Sequence, residues 1–184
     1  MVPLPPTRRL RAFLARGGII AYATESCFGL GCDPRNARAV RRLLWLKRRP
    51  RAKGLILIGN DFAQFRRFLA PLPESLADRL GEWWPGPNTL MLPVSRRCPP
   101  WLKGHHRTLA VRVTAHPDAA RLCHALGMAL VSTSANRSRQ KPLKTWRACR
   151  LAFGDKVWVL PGRIGKRKRP STILDPYSGC VARP

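Results

Sequence analysis

Between Leu46 and Gly54 the chain reads Leu-Lys-Arg-Arg-Pro-Arg-Ala-Lys-Gly, with five cations in the seven residues from Lys47 to Lys53. The apolar run Leu55-Ile56-Leu57-Ile58 follows at once. Charge runs of this kind usually face water. Pro50 removes a backbone donor and biases the residue before it out of helical conformation, so the helical pattern upstream has to stop there. The chain is thereby committed to a helix, a cationic loop and a buried strand in succession. Two rigid supports aim several charges at one place, as a ligand with more than one phosphate requires. A solvated basic loop is the bland reading of the same residues.

The 184 residues suit one domain spanning 1–184, and a hydrophobic content of 45% is enough for a real core. Thirty-five Lys and Arg against nine Asp and Glu leave a net charge of +26, a field that attracts polyanions such as RNA, DNA or nucleotides. No apolar run approaches a membrane span and no signal-peptide pattern opens the sequence, so a soluble cytoplasmic protein with no membrane partner is expected. Cys27, Cys32, Cys98, Cys123, Cys149 and Cys180 form no CxxC pair, and His105-His106 has no ligand partner at helical spacing. Free thiols and no protein metal site are expected.

The apolar periodicity predicts a helix capped by Thr7, with Leu10, Phe13 and Leu14 on one face and Gly17-Gly18 at its end. A strand over 19–23 then runs into a polar turn, Thr24 to Gly31. Asn36 caps the next helix, whose face is Val40, Leu43 and Leu44, and which delivers Lys47 to the loop. After the strand at 55–58 come a helix carrying Phe62, Phe65, Phe68 and Leu69, and another near 75–83. Trp84-Pro85-Gly86-Pro87 makes a rigid turn before a strand at 90–94. Strands at 109–113, 129–132, 157–160 and 171–174, helices opening at His116 and near 146–153, and a last short strand complete the chain. Strands and helices do not alternate strictly, which predicts an α/β (α+β) fold with a twisted mixed parallel and antiparallel sheet flanked by helices.

Two polar stretches interrupt these elements. Arg112 is a charge inside an apolar strand and needs a partner, either an anionic ligand or an internal carboxylate. Ser132-Thr133-Ser134-Ala135-Asn136 ends a strand in small hydroxyl and amide groups that can bond phosphate or ribose oxygens; a Ser/Asn turn is the alternative.

In this order the motifs resemble the YrdC/TsaC family, the threonylcarbamoyl-AMP synthases. The resemblance rests on Lys47, Arg49 and Pro50 as Lys-x-Arg-Pro and on Ser134 and Asn136 as Ser-x-Asn. It extends to Thr24-Glu25 with Gly29-Leu30-Gly31, Trp84-Pro85-Gly86-Pro87, Ala110-Val111-Arg112 with His116-Pro117, and Pro170-Ser171-Thr172-Ile173. It implies a YrdC-like fold and an enzyme that joins L-threonine, bicarbonate or CO2 and ATP into threonylcarbamoyl-AMP and pyrophosphate. A transferase complex would then modify the adenosine beside the anticodon of tRNAs reading codons that begin with A. By the same resemblance Lys47, Arg49 and Lys53 serve the triphosphate, and Ser134 and Asn136 complete the nucleotide site. Thr24, Arg112, Ser132 and Ser171 hold threonine and its carbamate, and Mg2+ accompanies ATP, carried by phosphate oxygens and water.

Three departures stand out. Ala23 takes a position where the family often has proline, Arg139 one where glycine is common, and Gly165-Lys166-Arg167-Lys168-Arg169 is unusually basic. Lys166, Arg167, Lys168 and Arg169 are read as one cluster meeting tRNA or a protein partner, with a lid over ATP as the alternative. The chain resembles the short form of the family. A non-catalytic RNA-binding protein in tRNA or ribosome maturation is the competing reading of the charge, but it has no need for the polar pocket residues.

Overall fold

The computed structural model describes residues 4–138 and 140–183, so Arg139 lies outside the described residues. Helix α1 (Thr7–Ala15) buries Leu10 and Leu14, one turn apart. Strands β1 (Ile20–Ala23) and β2 (Phe28–Gly31) pair antiparallel. Helix α2 (Ala37–Lys47) starts where the Asn36 side chain accepts from the Ala39 N–H at 3.0 Å. The remaining elements are β3 (Ile56–Gly59), α3 (Glu74–Ala77), β4 (Asn88–Pro93), α4 (Pro100–Lys103), β5 (Thr108–Val113), α5 (Pro117–Leu126), β6 (Leu130–Ser134), α6 (Trp146–Phe153), β7 (Trp158–Val159), β8 (Thr172–Leu174) and β9 (Val181–Arg183). Among the described residues no helix is long and apolar enough to cross a membrane.

The strands form one mixed sheet in the order β7-β1-β2-β6-β3-β5-β4-β8-β9. Pairing is parallel at β1/β7, β3/β5 and β4/β8 and antiparallel elsewhere. Successive side chains alternate between the two faces, as the pleat requires. Ile20, Tyr22, Ile58 and Leu130 pack with α1 and α5, whereas Ala21, Leu57, Leu90 and Val131 pack with α2 and the aromatic residues Phe65 and Trp84.

Four local expectations need correction. Thr7 is the first helical residue, not the cap: Pro6 holds the cap position and its carbonyl accepts from Leu10 N. The stretch ending in Gly31 is not all turn, because Phe28–Gly31 is strand β2. Its glycines mark close packing: a Cβ on Gly31 would sit 2.7 Å from the Val131 carbonyl oxygen and 2.8 Å from the Tyr22 ring. The segment Phe62 to Leu69 forms only a short 3-10 turn, Phe62–Phe65, since it must bury Phe65, Phe68 and Leu69 together before Leu69 bridges to Val94. The helix near 75–83 is split into α3 and a 3-10 turn, Asp78–Glu82, that carries Leu80 and Trp84 into the core.

Candidate active site

The register places Ile56 opposite Ser132 and Ile58 opposite Arg112, so Ser132 and Arg112 share a sheet face with Ile58 and Leu130. Helix α5 covers Ile58 and Leu130. Ser132 and Arg112 instead face a cavity of about 320 Å³. Its walls are the turn Thr24 to Cys27 with Gly29, Arg49 with Leu55 and Ile56, Ser132 to Ser134, and Pro142 with Lys144. The loop residues Lys168, Pro170 and Ser171, with Arg183 of β9, close it.

Three guanidinium groups converge there. Arg112 meets Glu25 at 3.1 Å, and the Thr114 hydroxyl donates to the other Glu25 oxygen at 2.7 Å. Burial alone would push the Glu25 carboxyl up; the Arg112 guanidinium and the Thr114 hydroxyl outweigh it and hold it below the usual range. Arg183 donates to the Ser171 carbonyl at 2.8 and 3.1 Å and to its hydroxyl at 3.1 Å, and Thr89 donates to the same hydroxyl at 2.9 Å. Burial lowers the Arg183 pKa, and the nearby charges of Arg112 and Arg49 lower it further, so the three cations feel one another. Arg49 donates to the Gly54 carbonyl at 3.0 Å. Among the described residues the Nε–H groups of Arg49 and Arg112 are buried without an acceptor. Among the described residues Glu25 is paired with Arg112, and the three guanidinium groups outnumber it, which suits the cavity to an anionic ligand.

The Ser-x-Asn loop is held from behind. Lys47 ends helix α2 and is buried, not loop-borne. Its ammonium donates to the Ser134 carbonyl, to the Asn136 carbonyl at 2.8 Å and to the Asn136 side-chain oxygen at 3.1 Å. All three protons of the ammonium are engaged. Burial, with the Arg49 charge nearby, brings its pKa down to about 8. The Ser134 hydroxyl donates to the Asn136 side-chain oxygen at 2.6 Å, which fixes the amide. Thr24 closes its turn by donating to the Cys27 carbonyl at 2.7 Å.

The segment after Pro161 lies against that turn. Gly165 N donates to the Thr24 carbonyl at 3.0 Å and Arg167 N to the Glu25 carbonyl at 3.2 Å. The Arg163 carbonyl pairs with His116 Nε2 at 3.0 Å.

Residues 12–184 match the model of the Sua5/YciO/YrdC family, described as "Telomere recombination". The chain belongs to the Sua5/YciO/YrdC family. It is 59% identical to the threonylcarbamoyl-AMP synthase of Chromobacterium violaceum, over 98% of this chain and 95% of the relative. It is 55% identical to the enzyme of the same name from Methylobacillus flagellatus, over 96% and 98%. The structure of P. abyssi Sua5 complexed with L-threonine superposes with a TM-score of 0.82 at 29% identity, over 92% of this chain; the chain spans 50% of that Sua5's length.

Within this family fold the motif residues are brought together unevenly. Thr24, Arg49, Arg112, Ser132, Ser134 and Ser171 line one cavity. Asn136 stands behind Ser134, Lys47 supports both, and Lys53 is exposed outside the cavity wall. The four late cations do not form one patch. Lys168 lines the cavity, Arg167 folds back to the Arg169 and Pro170 carbonyls at 3.2 Å each, and Lys166 and Arg169 are exposed outside the cavity lining. For Arg112 the internal carboxylate exists, as Glu25, and the guanidinium still faces the cavity. Sequence reasoning passed over Arg183 and Lys144, and quoted Glu25 only as part of the Thr-Glu turn without giving it a role. Arg183 carries the signal that singled out Arg112, a charge in a strand, and Glu25 is one of only nine acids in a strongly cationic chain. Lys144 carries no such signal.

Proposed function

We propose that this chain is a threonylcarbamoyl-AMP synthase, an enzyme that makes threonylcarbamoyl-AMP and pyrophosphate from L-threonine, bicarbonate or CO2, and ATP. The convergence of Arg49, Arg112 and Arg183 on a cavity rimmed by serine and threonine hydroxyls carries the reading, and the names of relatives that match along nearly their whole length support it.

The reaction follows from that arrangement. The threonine amine adds to CO2 and loses a proton, giving a carbamate. A carbamate oxygen attacks the α-phosphorus, the bond to the bridging oxygen breaks, and pyrophosphate leaves with the electron pair. Charge is crowded throughout, so positioning and electrostatic stabilisation supply the acceleration. Arg49, with Lys144 and Lys168 of the same cavity lining, takes the phosphates. The Ser134–Asn136 pair, held by Lys47, takes the nucleotide. Arg112 takes the threonine carboxylate, and Arg183 orients Ser171, which with Thr24 and Ser132 bonds the carbamate and the threonine hydroxyl. Mg2+ reaches the site with ATP, held by phosphate oxygens and water; among the described residues no cluster of three or more His, Cys, Asp or Glu offers it a set of ligands. The product is consumed by a transferase complex acting on tRNA, in the cytoplasm. Incubating the protein with ATP, bicarbonate and threonine should yield a species with the mass of the mixed carbamic–phosphoric anhydride; its absence under conditions where ATP is bound would reject the reading.

A further inference from the structure

The Trp-Pro-Gly-Pro stretch before β4 has no part in the chemistry above, yet it sets where that strand begins. The Trp84 indole N–H donates to the Asn88 carbonyl at 2.8 Å, and Gly86 N donates to the Val113 carbonyl at 3.0 Å. The residue delivered next, Thr89, is completely buried. The antiparallel pair Leu90–Val111 puts Thr89 beside Arg112, and the parallel pair Asn88–Thr172 puts it next to the strand that follows Ser171. Among the described residues the Thr89 hydroxyl has one hydrogen-bond partner, the Ser171 hydroxyl at 2.9 Å. A buried donor left without an acceptor is costly, so Thr89 places its proton there.

A hydroxyl oxygen has two lone pairs and one proton. At Ser171 the Thr89 O–H takes one lone pair, and Arg183 Nη2 takes the other at 3.1 Å. The Ser171 proton is the hydrogen-bonding capacity that remains. Ser171 lines the cavity, and among the described residues its hydroxyl donates to no group. We infer that Thr89 is a positioning residue: it holds Ser171 as a pure donor aimed into the cavity, toward an anionic oxygen of threonine or its carbamate. The inference rests on the reading of this cavity as the threonine site. An ammonium offers Ser171 no acceptor, so the same arrangement favours the carbamate over the protonated amine. A merely structural role needs only the shape of Thr89, which valine reproduces.

The test is calorimetric titration of the full chain with L-threonine in bicarbonate buffer, so that binding is read without chemistry. Thr89→Val should weaken threonine binding roughly three- to tenfold, as one oriented hydrogen bond allows, and leave ATP affinity within about twofold of the parent. Thr89→Ser keeps the hydroxyl and should recover threonine affinity to within about twofold of the parent. Thr89→Ala is a second variant without the hydroxyl. In a Ser171→Ala background, Thr89→Val and Thr89→Ala should have no further effect, because their target is already gone. Threonine affinity unchanged in Thr89→Val would overturn the inference. So would an equal loss in the Ser171→Ala background, or a loss that Thr89→Ser does not recover. A parent that binds threonine and shows these ratios, yet makes no adenylate, would reject the proposed reaction and leave the positioning role supported. A parent with no threonine affinity would overturn both.

Discussion

The Lys47 ammonium lies 3.1 Å from the side-chain oxygen of Asn136, and two backbone carbonyls of the same loop complete its coordination. Helix α2 and the Ser-x-Asn loop, eighty-nine residues apart in sequence, are thus tied at one point. Lys47 therefore sets the shape of the Ser-x-Asn loop proposed to take the nucleotide, in addition to contributing charge.

Removing that tie should separate Lys47 from Arg49. Lys47→Met leaves buried carbonyls without a donor, at a cost of about 1–3 kcal/mol in stability. It should also lower kcat/KM at least about a hundredfold through the displaced loop. Arg49→Ala should lose activity to a similar degree with a smaller change in melting temperature, because its side chain lines the cavity and is only half-buried. Equal stability losses in the two variants, or near-normal turnover in either, would contradict these roles.

The Glu25–Arg112 pair predicts an acid-limb effect on stability. The folded-state pKa of Glu25 lies below its ordinary value of 4.5, so its contribution is present above that value and lost as pH falls through the folded pKa. Glu25→Gln keeps one hydrogen bond with Thr114 but leaves Arg112 uncompensated, costing about 2–4 kcal/mol at pH 7. The difference between parent and variant should shrink below about pH 4. Urea unfolding at a series of pH values measures it; a constant difference down to pH 3 would show that the pair does not act in this way.

Gly165 tests how the closing segment is seated. A Cβ there would lie 2.8 Å from the Glu25 carbonyl oxygen and 3.1 Å from its Cα, both backbone atoms that cannot swing aside. Gly165→Ala should cost about 1–3 kcal/mol. By lifting Lys168 and Ser171 away from the turn, it should raise the KM for threonine about tenfold or more. Unchanged threonine kinetics would mean that the segment is not a wall of the working site.

The late cations should now divide. Lys166→Ser with Arg169→Ser should leave adenylate synthesis within about twofold of the parent. Lys168→Ser should raise the KM for ATP, because that ammonium lines the cavity. Arg167→Ser should loosen the loop through its lost bonds to the Arg169 and Pro170 carbonyls. Steady-state kinetics on the three variants would reveal a uniform patch if all behaved alike.

Much of this was legible in the residues. The mixed sheet followed from apolar runs bounded by Gly and Pro, and most of the cavity lining from motifs at strand ends. What stayed hidden depends on distance in space. Nothing local to Lys47 says that its charge turns inward to carbonyls of β6 and the loop beyond, because periodicity counts a helix-terminal lysine as solvated. Arg183 enters the site only because β9 pairs with β8 at the sheet edge, a neighbour relation that no spacing encodes. Phe28–Gly31 looked like a turn because its glycines serve close packing under Tyr22, which propensity cannot distinguish from a need for unusual dihedrals.

The central claim is that one cavity joins threonine, bicarbonate or CO2, and ATP in a single reaction, and the initial rate of pyrophosphate release tests it most directly. Rates would be measured with ATP and Mg2+ alone, with threonine or bicarbonate added singly in CO2-depleted buffer, and with both. The account expects release only when both are present, in step with formation of the threonylcarbamoyl adenylate. Release equally fast without threonine would contradict it.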